Sequence, residues 1–148
     1  MKRLCLIFAV FSLILCFGGC GDNVKTSESG VEYRVLEISS DDQERHVIDL
    51  IVEEEVTEET WTPNHQLDVH DMLEEVVNDY IAEHNVTALT VTIYGNEKDR
   101  SHGVYRGYCK YYPEGDYEKS TEVEPGDYEN FRYEYDLHHW RNIDLPPD

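Results

Sequence analysis

A helical hydrophobic period set between stretches of strand period constrains this chain more than any other feature. From Pro63 to His84 the apolar residues Val69, Met72, Leu73, Val76, Val77, Tyr80 and Ile81 recur at three- and four-residue intervals. At about 100° per residue they fill one broad arc, and Asp71, Glu74, Glu75, Asn78 and Asp79 fall largely outside it. This spacing predicts an amphipathic helix with one face to bury. Thr62-Pro63, Asn64 and Asp68 supply helix-start chemistry, and Asn85 suits the left-handed position after a helix end.

On both sides the period drops to two. Val31, Tyr33 and Val35 alternate with Glu32 and Arg34, and the phase shifts at Leu36, as at a bulge, before the run ends at Ile38. From His46 to Glu53, Ile48, Leu50 and Val52 share one face, with Val47 and Ile51 opposite. The polar turn Ser39 to Arg45 makes these two runs a hairpin. After the helix, Thr87 to Tyr94 alternates Leu89, Val91 and Ile93 with Thr90, Thr92 and Tyr94. A loop from Gly95 to Gly103 leads into Val104 to Tyr112, with Tyr105, Cys109 and Tyr111 on one face and Arg106, Tyr108 and Lys110 on the other. The expectation is an α+β domain over residues 31–112, in the order β-β-α-β-β: a four-stranded sheet of two hairpins with the helix packed on one face. If the second and third strands are neighbours, they run parallel through a right-handed crossover. Glu53 to Glu59, with five carboxylates in seven positions, reads as a solvated linker.

Residues 113–148 form an acidic, aromatic-rich extension, in which Asn130 to Tyr135 is a candidate edge strand. Its rings Tyr128, Phe131, Tyr133, Tyr135 and Trp140 have two readings, an extra edge on the sheet or a surface for a protein or envelope-glycan partner.

The first twenty residues carry an address. Met1-Lys2-Arg3 is a short positive region, Leu4 to Phe17 is almost purely apolar, and Gly18-Gly19-Cys20 follows. The apolar run of about 14 residues falls short of the roughly 20 a spanning helix needs. Phe17-Gly18-Gly19-Cys20 resembles the lipobox of bacterial lipoprotein precursors. The resemblance implies a signal peptide over 1–19, cut between Gly19 and Cys20. It also implies a diacylglyceryl thioether on Cys20 with a palmitate-like acyl group on the new amine. The domain would then be extracytoplasmic, lipid-anchored to a membrane of the bacterial envelope, with residues 20–30 as a flexible tether. On that reading Cys5 and Cys16 leave with the signal, Cys20 carries lipid, and Cys109 has no partner for an intramolecular disulfide.

Tyr33-Arg34-Val35-Leu36-Glu37, Val47 to Val52, the helix, Val91-Thr92-Ile93-Tyr94-Gly95 and Gly103-Val104-Tyr105 together resemble a small uncharacterised β-β-α-β-β domain family of bacteria and phages. That resemblance implies a fold and no activity.

The chain's 148 residues allow one ordinary domain. A net charge of −20 argues against nucleic acid as a partner, because phosphate neutralisation needs a basic face. His138-His139 with Asp136 is the densest candidate metal cluster, and His70 lies one helical turn from Glu74. Neither has a third ligand at a recognisable spacing, so no metal or cofactor is expected. Asp99, Ser101 and His102 are the residue types of a hydrolytic triad crowded into one turn, without a nucleophile elbow. The expected function is a binding or structural module rather than an enzyme. The alternatives are an extracytoplasmic enzyme with a histidine–carboxylate site, or a phage-encoded lipoprotein that blocks an envelope receptor. Cys20→Ser is expected to leave an unprocessed, unlipidated precursor; a processed species that still partitions into detergent would contradict the lipobox reading.

Overall fold

The computed structural model describes residues 23–54 and 59–137. The helical period becomes α1 (Pro63–Glu83), entered through Thr62, whose hydroxyl accepts from the His65 amide at 3.3 Å, with Pro63 in the first turn. Its buried stripe is Val69, Met72, Leu73, Val76 and Val77. This stripe meets one face of a sheet containing β2 (Glu32–Ser40), β3 (Arg45–Val52), β4 (Ala88–Tyr94) and β5 (Tyr105–Pro113). Ile48, Leu50 and Val52 of β3, Leu89, Val91 and Ile93 of β4, and Cys109 and Tyr111 of β5 complete the core. β3 and β4 are parallel, in register from Arg45↔Ala88 to Ile51↔Tyr94, and α1 lies in the connection between them. Among the described residues, no helix is long and apolar enough to cross a membrane.

The four-stranded β-β-α-β-β expectation is corrected. The chain forms one six-stranded mixed sheet, ordered β1-β2-β3-β4-β5-β6, and α1 is the only helix of seven or more residues among those described. The fold is therefore mostly sheet, because both edges recruit residues from outside 31–112.

At one edge, β1 (Lys25–Thr26) pairs antiparallel with Tyr33 and Glu32. The segment expected to be a tether is thus engaged from Lys25 onward, through contacts that leave no hydrophobic period. Ser27 is buried, and its hydroxyl accepts from the Val31 amide at 3.0 Å. Gly30, at φ +89, turns the chain into β2. Ser29 donates to the Asp68 carbonyl at 2.7 Å and the Glu28 amide donates to Glu75 at 2.7 Å, tying the edge to α1.

At the other edge β6 (Phe131–Asp136) pairs antiparallel with β5, from Tyr108↔Asp136 to Pro113↔Phe131. The β4–β5 loop also contains a short helix, α2 (Glu97–Ser101), capped by Asn96, which accepts from the Asp99 amide at 2.8 Å. Asp99 is 2% exposed and accepts from Arg106 Nη2 at 2.8 Å, so the loop is locked onto the start of β5.

Gly107 allows β5 and β6 to approach. A Cβ there would lie 2.7 Å from the Asp136 carbonyl oxygen and 2.9 Å from Leu137 Cδ2. Gly107→Ala is expected to cost about 1–3 kcal/mol in urea unfolding and to raise hydrogen exchange in β6 before β4. Unchanged β6 protection would show that the close approach is not needed.

Candidate functional site

A sheet has two faces, and α1 covers one. The alternation that sends Ile48, Leu50, Leu89, Val91 and Cys109 inward sends Val47, Thr90, Thr92, Tyr108, Lys110 and Tyr112 to the other face. Register aligns Val47 beside Thr90 and Thr90 beside Lys110. After β5 the chain turns through Glu114 and Gly115, both at positive φ, which precede Tyr117 and a 3-10 turn at Glu118–Glu122. The result is an open groove of about 430 Å³ lined by Arg45, His46, Val47, Thr90, Lys110, Tyr112 and Tyr117.

The groove's polar groups are mutually fixed. Thr90 and Tyr112 share a hydroxyl–hydroxyl bond at 2.6 Å. The Arg45 guanidinium lies 4.9 Å from the Tyr117 ring centre and bonds Asp41 at 2.6 Å. Lys110 lies 4.5 Å from the Tyr108 ring centre and 3.5 Å from Glu134. Further along this face, Arg34 pairs with Glu53 at 2.8 Å and with Glu97 at 3.2 Å, while Arg100 pairs with Asp49 at 3.0 Å and with Glu37. The helix layer is the opposite: α1 carries six carboxylates and no lysine or arginine. Each of these cations on the open face is paired, Arg34 and Arg100 with two carboxylates each, whereas the carboxylates of α1 have no lysine or arginine on their own helix.

The aromatic candidates of the C-terminal extension lie elsewhere. Phe131, Tyr133 and Tyr135 are half-buried on the α1 side of β6 and pack against the core. Phe131 sits 5.0 Å from the Tyr111 ring centre. Tyr133 donates to Asn78 at 2.9 Å, and Tyr135 donates to Glu74 at 2.7 Å. Tyr128 donates to the His84 carbonyl at 2.9 Å and accepts from the Val86 amide at 3.1 Å. These four rings extend the core beneath the end of the sheet. Gly19, Cys20, His138, His139 and Trp140 lie outside the described residues, and Asp136 ends β6 opposite Tyr108.

His70 and Glu74 do come together, at 3.7 Å, but Tyr135 occupies the carboxylate and its ring centre lies 3.9 Å from that of His70. Among the described residues there is no group of three His, Cys, Asp or Glu side chains placed to hold a metal. Ser101 Oγ lies 3.2 Å from His102 Nδ1, but both are also within hydrogen-bond distance of the Lys98 carbonyl, at 2.8 and 2.7 Å, and Asp99 is held by Arg106, so this four-residue stretch does not line up a triad. Burial, followed by the Glu74 charge, pushes the Cys109 thiol up to about 12, leaving it protonated and non-nucleophilic at neutral pH.

Sequence spacing gave no sign of a Glu44–His46–Tyr80 array. Glu44 lies 3.2 Å from His46 Nε2, and His46 Nδ1 shares a 2.7 Å bond with the Tyr80 hydroxyl. Tyr80 stacks on His84 with ring centres 4.2 Å apart. Burial pushes the Tyr80 phenol above its ordinary value, which suits a hydrogen-bonded strut between β3 and α1 better than a nucleophile.

Burial also raises Tyr133, up to about 12, and Tyr135, whose bond to Glu74 adds to the rise. The unfolded chain releases these protons near pH 10, so their stabilisation is complete below that value and is lost as pH climbs toward the folded values. The urea midpoint is expected to fall between about pH 10 and 12, and less steeply in the Tyr133→Phe, Tyr135→Phe double variant. Equal slopes in the two proteins would remove these phenols as the cause. No protein-family model, curated protein or solved structure matches the chain, so the assignment of the open face rests on its own residues.

Proposed function

We propose that this chain is a bacterial envelope lipoprotein, anchored through diacylglyceryl Cys20, whose domain acts as a binding module through the open face of its sheet. The observation that carries the binding reading is the groove between Arg45, Thr90, Lys110, Tyr112 and Tyr117 on the face that α1 leaves uncovered. It combines the exposed ring of Tyr117 with polar groups already fixed in position, the composition of a recognition surface rather than of an acid–base centre.

The short charge-to-cysteine segment at the N-terminus supports the anchor, and the position of β1 bears on its consequence. Only five residue steps separate Cys20 from Lys25, a reach of at most about 18 Å. A domain tied this closely meets partners within the envelope rather than ones free in the medium. Loss of Lys2 and Arg3 with the signal takes the net charge from −20 to −22, which keeps the domain off anionic headgroups.

Photo-crosslinking in intact cells tests the face. A photoreactive residue at position 117 is expected to give adducts, and one at position 71 on the outer side of α1 is expected to give none. Adducts from position 71 alone would reverse the assignment.

A further inference from the structure

We infer that the ligand of the open face is an uncharged carbohydrate chain; this rests on reading that face as the binding surface. Three observations converge on it. The first is the arrangement of rings. Tyr108 and Tyr112 stand on the open side of β5, the register shift opposite Ile93 and Tyr94 brings Tyr105 to that side as well instead of the Cys109 face that strict alternation predicts, and Tyr117 follows at the strand's end, 5.3 Å from Tyr112 between ring centres. The seven residue steps from Tyr105 to Tyr112 span about 23 Å, so the rings form a row rather than a single pocket. Tyr117 and Tyr105, at the two ends, are 43% and 38% exposed; Tyr108 between them is half-buried, and Tyr112 is buried and backs Tyr117. Phenol rings offer flat apolar area with a polar rim and little rotamer entropy to lose, which suits the C–H faces and hydroxyl edges of successive sugars.

The second is charge. Each cation at the groove is already held by a carboxylate, Arg45 by Asp41 at 2.6 Å and Lys110 by Glu134 at 3.5 Å. Such pairs present oriented donors and acceptors to hydroxyl groups and leave no net positive charge for an anionic polymer. With a chain charge of −20, a polyanion meets repulsion wherever it approaches.

The third is the scarcity of aliphatic anchors. Val47, at 37%, is the one exposed large aliphatic that strands β2 to β5 place on this face among the described residues, whereas a protein interface needs a desolvated apolar centre. A polyhydroxylated ligand needs none.

The test uses the full chain in detergent micelles, titrated calorimetrically with three uncharged hexasaccharides, cellohexaose, chitohexaose and maltohexaose, and with polygalacturonate as the anionic arm. At least one hexasaccharide is expected to bind, with an affinity that changes less than about twofold between 0.05 and 0.5 M salt. Tyr117→Ala is expected to weaken it about tenfold, a loss of about 1.4 kcal/mol. Tyr117→Phe, which keeps the ring, is expected to retain most of the affinity, and Tyr133→Phe, on the helix side, to leave it unchanged. Binding to none of the hexasaccharides, binding to polygalacturonate alone, or equal affinity in Tyr117→Ala overturns the inference. Protein adducts from position 117 without sugar binding sink the carbohydrate and keep the binding face; absence of both sinks both.

Discussion

The parallel pairing of β3 with β4 beneath α1 is the constraint on which the rest of the molecule depends. Parallel neighbours need a crossover, and here the crossover is also the only covering layer among the described residues. Val69, Met72, Leu73 and Val77 of α1 and Leu50, Leu89, Val91 and Ile93 below them are all fully buried. Each such side chain contributes roughly 1.5–3 kcal/mol on burial, and no disulfide adds to this among the described residues, where Cys109 is free. The outer strands are laid against this centre: β2 and β5 as antiparallel partners, β1 and β6 as edges.

A single helix over a six-stranded sheet also makes the two sides chemically unlike. The inner side takes the aliphatic residues and, at its β6 end, the rings of Phe131, Tyr133 and Tyr135. The outer side keeps short ion pairs and a row of tyrosines along β5. Most of the uncompensated acid sits on α1 and the loops, away from the groove.

The parts of this architecture written in local periods are legible in the sequence. Three- and four-residue spacing marks α1 to within a residue or so, and the phase shift at Leu36 corresponds to the register shift between Val35 and Glu37. What escaped has no period. β1 is two residues with exposed side chains, held by Ser27, Ser29 and Gly30, so composition alone makes it resemble a linker. The alternation of Phe131, Tyr133 and Tyr135 is visible, but whether the rings are displayed or packed depends on Asn78 and Glu74, 55 and 61 residues away. The groove is less legible still: Arg45 and Tyr117 belong to distant turns, and only the β3–β4–β5 register brings them together.

The order of strands across the sheet equals their order along the chain. A chain made from its N-terminus therefore presents each strand after its neighbour, and the sheet can extend by one pairing at a time, without an early strand waiting for a late one. Four of the five pairings are antiparallel joins of consecutive strands. The exception is β3 with β4, which must wait for α1 to fold back across the growing sheet. Closing that loop joins the strand partners with the longest intervening chain, so the largest entropic cost of pairing falls on the helix crossover rather than on either edge.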